Sequence, residues 1–235
     1  MIIMETGKYD FELDMTTENS NAAILRNISP SSRVLELGCA HGRMTKYLKE
    51  NLNCTVTIAE VDEEAGKVAQ QWASNSFLGR SGDIEKESFF DELNSVKENN
   101  FDYIVFADVL EHFKYPELVL NRCKQLLSST GSIWVSIPNI SHNAVLIDLW
   151  NDEFTYRKTG LLDNTHLRFF TEQSLAKMVE DCGLTVNKTI NLRNTVENTE
   201  FQNSYDDVPA TVALLMKRRE HGETYQFVWE LKVKV

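Results

Sequence analysis

From Arg33 onward, short apolar or β-branched runs alternate with longer stretches of helical spacing, and that alternation leaves few folds open. Arg33–Leu37 (RVLEL) is an apolar run closed by Gly38, and residues 41–52 follow with helical spacing through Met44, Tyr47 and Leu48. Residues 55–59 (TVTIA) read as a strand, and Asp62 is placed to cap a helix over 63–72. Residues 77–80 give a weaker strand and Phe101–Ala107 (FDYIVFA) a strong one. A helix over 116–127 begins with Pro116, tolerated in a first turn because its missing N–H has no partner there anyway. Residues 133–137 (IWVSI) form a strand ended by Pro138, and 171–182 a helix with Thr171 as N-cap and Gly183 just past its end. Residues 186–190 and 225–235 read as late strands. Near-continuous apolar strands joined by helices predict an α/β fold, a parallel sheet covered on both faces. Sheets of this kind take ligands at the carboxyl ends of their strands, beside a switch in strand order.

Composition narrows the partners. The 235 residues suit a single domain spanning 1–235, with 42% hydrophobic residues to build its core. Twenty-four Lys and Arg against 35 Asp and Glu leave a formal charge of −11, which disfavours a nucleic-acid partner or an anionic lipid surface. Cys39, Cys54, Cys123 and Cys182 are scattered without a Cys-x-x-Cys, as expected of free thiols in a reducing, cytoplasmic setting. The first residues show no basic segment followed by an apolar one, and no apolar run reaches the roughly 18–20 residues of a membrane span.

The unusual residues sit just after the strands. Glu36-Leu37-Gly38-Cys39-Ala40-His41-Gly42 leads from a strand through small residues into a helix, so bare backbone N–H groups approach a ligand closely. Its spacing departs from the G-x-G-x-x-G of dinucleotide-binding proteins. Glu60 closes the second strand, where a carboxylate can accept both hydroxyls of a ribose, and Gly82-Asp83-Ile84 follows the third. Together these pieces resemble class I S-adenosylmethionine-dependent methyltransferases, over nearly the whole chain from about Tyr9. The resemblance implies a Rossmann-like, seven-stranded, mostly parallel sheet with helices on both faces and a last strand inserted antiparallel. It further implies that Glu36, Gly38, Ala40 and Gly42 hold the methionine part of S-adenosylmethionine, Glu60 with Val61 the ribose, and Asp83 with Ile84 the adenine. Ala107 and Asp108 complete the cofactor contacts, with Tyr9 closing over them. Ala40 stands where the widespread motif has glycine.

The fourth strand runs into Asp108-Val109-Leu110-Glu111-His112. If helical, that stretch puts Asp108, Glu111 and His112 on one face. A further histidine, His166, lies in the polar and aromatic run Gly160-Leu161-Leu162-Asp163-Asn164-Thr165-His166-Leu167-Arg168-Phe169-Phe170-Thr171. This run, with VFADVLEH and SIPN upstream, resembles a bacterial methyltransferase subgroup associated with glycosyltransferases and polysaccharide biosynthesis. The layout also resembles metal-dependent small-RNA 3′-terminal 2′-O-methyltransferases and ubiquinone-pathway O-methyltransferases acting on catechols. It implies Asp108, Glu111, His112 and His166 as ligands of Mg²⁺ or Mn²⁺, and Glu111, His112 and His166 as catalytic residues. A metal-free alternative makes His112 or His166 a general base. Residues 139–170 are expected to form an insertion over the acceptor, where Trp150, Phe154, Tyr156, Phe169 and Phe170 can stack on a ring. Arg157, Lys158 and Arg168 there would suit an acidic acceptor. The expected activity is O-methylation of a hydroxyl on a sugar, glycan or related small molecule. A catechol acceptor and a non-catalytic S-adenosylmethionine-binding module are the alternatives.

Overall fold

A computed structural model describes residues 12–95 and 100–234. In chain order the elements are α1 (Ser20–Leu25), β1 (Arg33–Leu37), α2 (Arg43–Glu50), β2 (Thr55–Glu60), α3 (Glu63–Ala69), β3 (Asn75–Leu78), α4 (Glu87–Ser95) and β4 (Phe101–Ala107). There follow α5 (Pro116–Cys123), β5 (Leu127–Pro138), α6 (Asn143–Trp150), α7 (Glu172–Asp181), β6 (Leu184–Arg193), α8 (Ala210–Lys217) and β7 (Thr224–Val233). The strands make one sheet in the order β3-β2-β1-β4-β5-β7-β6. It is parallel from β3 to β5, and β7 runs antiparallel to both its neighbours. Chain order reverses between β1 and β4, which creates a switch point there.

The two faces of the sheet are read directly from strand periodicity. Val34, Val105 and Trp134 point into a core with Ile24 of α1, Met44 and Leu48 of α2, and Ala69 of α3. Their neighbours Leu35, Ile104, Phe106, Ile133 and Val135 point the other way, onto Phe89 of α4, Leu120 of α5 and Leu175 of α7. Successive side chains alternate between faces, and because both faces are covered at the centre of the sheet, β1, β4 and the second half of β5 are largely apolar, whereas β6 at the edge (LTVNKTINLR) is polar and mostly exposed. Asp62 caps α3 through bonds from the Glu64 and Ala65 amides, and Thr171 caps α7 in a reciprocal capping box with Ser174.

Several boundaries differ from the sequence reading. Helical spacing over 63–72 and 116–127 ends in single 3-10 turns at Gln70–Trp72 and Lys124–Leu126. The third strand is Asn75–Leu78, and Gly79–Gly82 forms a 3-10 turn instead of continuing it. A third core lies beyond the sheet. Ala144, Val145 and Ile147 of α6 and Leu161 and Leu162 pack on Val196, Phe201, Tyr205 and Val208 and on Ala213 and Met216 of α8. The expected insertion at 139–170 is therefore half of a cap, and the segment between β6 and β7 supplies the other half. No helix among the described residues is long and apolar enough to cross a membrane.

Candidate active site at the carboxyl ends of the strands

The loop after β1 needs its glycines for both conformation and space. Gly38 and Gly42 have φ of +71° and +79°, in the left-handed region. A Cβ on Gly38 would lie 2.6 Å from Val109 Cγ2, and one on Gly42 would lie 2.5 Å from Ala69 Cβ. Ala40 shares the left-handed conformation at φ +47°, the position where the related motif carries glycine. Its amide donates to Glu60 Oε2 at 2.7 Å, and the Asp62 amide donates to Glu60 Oε1 at 2.9 Å. Glu60 thus ties the loop to the end of β2, and burial pushes its carboxyl above the usual range. Two donors leave lone pairs on this carboxylate for further hydroxyls. Glu36 is buried and accepts from Thr45 Oγ1 at 2.7 Å. Burial raises its carboxyl to about 7, against the opposing pull of Thr45 and Arg43.

Gly82 lets the 79–82 turn touch the end of β2, so Asp83 arrives beside Glu60. Asp83 pairs with Lys86 at 2.8 Å, Ile84 is buried, and Val61 is half exposed. Ala107 ends β4, on the other side of β1 from β2, and Tyr9 lies outside the described residues.

Past β4 the expected single helical face does not form. Asp108 adopts φ +58°, and the helical stretch is one 3-10 turn, Leu110–His112. The Asp108 carboxylate turns away from that stretch and accepts from Ser136 Oγ at 2.8 Å, Gln226 Nε2 at 2.6 Å and Ser20 Oγ at 3.2 Å. It joins α1, β5 and β7 at the end of the sheet. The remaining three candidates do meet: one ligand atom from each of Glu111, His112 and His166 lies within 4.8 Å of the others. Glu111 is 1% exposed, and neither of its carboxylate oxygens has a hydrogen-bond partner among the described residues. Its Oε1 is 3.9 Å from His166 Nε2, and the two imidazole centroids are 4.9 Å apart. His112 Nδ1 donates to the Thr165 carbonyl at 3.2 Å, which places its lone pair on Nε2. The Glu111 carbonyl accepts from the Leu167 and Arg168 amides, and Asp163 accepts from the Thr165 amide and hydroxyl. These bonds fold the 160–171 run against the 3-10 turn and so deliver His166.

A methyltransferase-domain family profile matches residues 16–189. The chain belongs to the methyltransferase-domain family. Its fold is the Rossmann-like class I methyltransferase fold, a seven-stranded, mostly parallel sheet, that the sequence led one to expect. A ubiquinone biosynthesis O-methyltransferase of Nitrosococcus oceani is 30% identical over 125 residues, 53% of this chain and 51% of that one. The chain spans about half the length of the first curated relatives it matches. Among solved structures, an Archaeoglobus fulgidus S-adenosylmethionine-dependent methyltransferase superposes with a TM-score of 0.60 at 17% identity, covering 90% of this chain and 92% of its own. The 1,6-didemethyltoxoflavin-N1-methyltransferase of Burkholderia thailandensis, solved with S-adenosylhomocysteine, gives 0.55 at 18% identity, covering 92% and 77%.

A chain of rings leads outward from the histidine pair. His166 meets Phe169 at 6.2 Å, Phe169 meets Phe154 at 6.5 Å, and Phe154 meets Tyr156 at 5.4 Å, all edge to face. Phe154, Tyr156 and Trp150 are exposed, whereas Phe170 is buried in the core. Arg157 and Arg168, two of the cations expected to meet an acidic acceptor, are already engaged by the protein. Arg157 lies 4.8 Å over Phe201 and 3.9 Å from Asp148, and Arg168 Nε donates to the Lys114 carbonyl at 3.0 Å. Ser20, Thr45 and Gln226 escaped the sequence reading, and Ser136 entered it only as part of the SIPN run. Only Thr45, a small polar residue one turn into the helix after the glycine loop, carried a local signal.

Proposed function

We propose that this methyltransferase transfers the methyl group of S-adenosylmethionine to a hydroxyl that has a second oxygen beside it, at a divalent cation held by Glu111, His112 and His166. The observation that carries this reading is Glu111, a buried carboxylate with two unpartnered oxygens facing two imidazoles. One hard oxygen donor with two borderline nitrogens fits a cation such as Mg²⁺ or Mn²⁺. When bound, such a cation supplies Lewis acidity that makes a neighbouring hydroxyl easier to ionise. The chain's own residues do the rest. The Thr165 carbonyl accepts from His112 Nδ1 and so leaves the Nε2 lone pair to the cation, and the cap excludes water and aims the oxygen at the methyl group.

On the donor side, Glu36 and the 38–42 loop are assigned to the methionine end and Glu60 with Val61 to the ribose. Asp83 with Ile84 is assigned to the adenine, and Ala107 to the cofactor contacts. Asp108 serves this end of the site as a brace for α1, not as a metal ligand, because its carboxylate is directed to Ser20, Ser136 and Gln226. The acceptor is a neutral vicinal diol, such as a sugar unit in polysaccharide assembly. Engagement of Arg157 by Asp148 and Phe201, and of Arg168 by the Lys114 carbonyl, is what favours a neutral molecule. A catechol is the second reading, supported by the exposed rings of Phe154 and Tyr156 and by the activity for which the curated relatives are named.

Calorimetry on metal-stripped protein tests the centre: S-adenosylhomocysteine to saturation, then Mn²⁺. Saturable Mn²⁺ binding that weakens in His166→Ala is the expected result, and no Mn²⁺ binding with or without a diol would overturn the metal. Labelled donor incubated with sugar nucleotides, glycolipids and catechols then separates the two acceptor classes.

The Glu36 assignment makes cofactor binding depend on pH. A carboxyl raised from the ordinary 4.5 to about 7 keeps its proton between those values in the folded chain, while the unfolded chain loses it. Its contribution to stability is therefore full at the acid side and is lost as pH rises through 7. The methionine ammonium needs the ionised form, so binding opposes this trend. Affinity for S-adenosylhomocysteine should fall up to about tenfold from pH 7 to pH 6 and level off above 8, with a proton released on binding. Titrations in two buffers of different ionisation enthalpy measure that proton. Glu36→Gln should bind more weakly and flatten the profile.

A further inference from the structure

We propose that Arg168 is a positioning residue for the Glu111, His112 and His166 centre, and that Arg168 and Glu85 together staple this centre to the turn assigned to the adenine, so that cofactor and cation bind cooperatively. The inference rests on the cofactor and cation readings above and adds the connection between them.

Three segments distant in sequence meet at Lys114. From the donor side, Glu85 follows Asp83 and Ile84, and its Oε1 accepts from the Lys114 amide at 2.8 Å and from the Tyr115 amide at 3.1 Å. Lys114 itself lies between the 3-10 turn Leu110–His112 and the start of α5 at Pro116. From the histidine side, Arg168 donates to the Lys114 carbonyl from Nε at 3.0 Å and also from Nη2. One peptide segment is thus held through its N–H by the turn that carries Asp83, and through its C=O by the run that carries His166.

The spacing sets what each bond controls. The Leu167 and Arg168 amides already join the Glu111 carbonyl, at 2.8 and 2.9 Å. That is one point of attachment, and one point leaves a hinge. The guanidinium supplies a second, three residues further along, which fixes the angle between the two backbones. Glu111 and His112 precede the second attachment on one side and His166 precedes Arg168 on the other, so this angle sets how their ligand atoms converge. Groups that orient metal ligands from outside matter to affinity for that reason. A forked guanidinium with two donors on one oxygen also resists rotation, whereas a lysine would bring a single point charge on a flexible stem.

The donor side is tied in by packing as well. Ile84 shares a buried core with Val109, Leu110 and Phe113. A cofactor that fixes Asp83 and Ile84 restricts Glu85, and holding Glu111 and His112 at a cation restricts Lys114. Each ligand therefore orders a segment that the other also requires, and the second to bind meets a smaller entropic cost. Linkage makes the effect reciprocal.

Calorimetry on the metal-stripped full chain measures Mn²⁺ affinity with and without saturating S-adenosylhomocysteine. Wild-type protein should bind Mn²⁺ at least about fivefold more tightly with the nucleoside present. Glu85→Ala should bring that factor close to one and leave Mn²⁺ affinity in the absence of the nucleoside unchanged. Glu85→Gln, whose amide oxygen still accepts, should retain the coupling. Arg168→Met should weaken Mn²⁺ by about 10-fold or more under both conditions and leave S-adenosylhomocysteine alone binding as before. Arg168→Lys should fall between the two, and it carries the test if Arg168→Met does not fold. A factor that Glu85→Ala does not change, or a wild-type factor of one, overturns the connection. Mn²⁺ affinity that ignores Arg168, or a parallel loss of both ligands, overturns the positioning role. Wild-type protein that binds S-adenosylhomocysteine but no Mn²⁺ defeats the cation reading itself, a result distinct from cation binding that is indifferent to Arg168 and Glu85.

Discussion

Replacing His166 by alanine is expected to lower turnover by roughly 10²–10⁴-fold while S-adenosylhomocysteine binds as before. The separation follows from where the residue sits. His166 reaches Glu111 and His112 from the 160–171 run, through bonds between the Glu111 carbonyl and the Leu167 and Arg168 amides, and the donor-side loop lies after β1. Glu111→Gln sharpens the test. The amide has the volume of the acid and fits the same buried space, so the fold should persist. It cannot serve as an anionic ligand, so turnover should fall by at least about 100-fold. If Glu111 were only a packing element, removing its buried carboxylate should raise stability and leave turnover intact. Thermal denaturation and labelled-donor turnover measured on the same preparations separate the two. A stabilised, fully active Glu111→Gln would remove Glu111 from the chemistry.

Much of this site was legible because its residues stand just after strands that alternate cleanly. Val34 and Leu35, or Val105 and Phe106, face opposite cores, so apolar runs marked β1 and β4 at their observed limits. The acids that close β1 and β2 then followed from counting. Asp108 is different. Its φ of +58° redirects the chain between β4 and the 3-10 turn, and no neighbouring residue announces it. The side chain consequently turns to Ser20, Ser136 and Gln226, partners 28 to 118 residues away in sequence. The cap was half hidden for another reason. Helices α6 (NAVLIDLW) and α8 (ATVALLMK) are apolar around most of their circumference and offer no clear polar face to betray a helical period. They pack on each other's segments across the whole late part of the chain, a pairing that only the tertiary fold supplies.

Gly82→Ala is the substitution expected to damage fold and cofactor site together. A Cβ there would lie 2.2 Å from the Glu60 carbonyl oxygen and 2.6 Å from that of Phe77. Both obstacles are backbone, so no side chain can swing aside, and the 79–82 turn must separate from β2 and β3. Overpacking of this kind costs about 1–3 kcal/mol or more. In a chain of this size that lowers Tm by roughly 2–12 °C. The functional loss should exceed the stability loss. Moving Glu60 disturbs Ala40, whose amide it holds at 2.7 Å, while moving the turn carries Asp83 away from Glu60. Gly131→Ala is the matching control. Its Cβ would meet the Phe101 carbonyl oxygen at 2.6 Å, also backbone, but beside the start of β4 at the opposite end of the sheet. Both variants should melt early, and only Gly82→Ala should lose S-adenosylhomocysteine affinity when both are measured well below their melting temperatures. Equal affinity in the two would mean that Glu60 and Asp83 do not hold the adenosine, and the donor would have to be seated elsewhere along the strand ends.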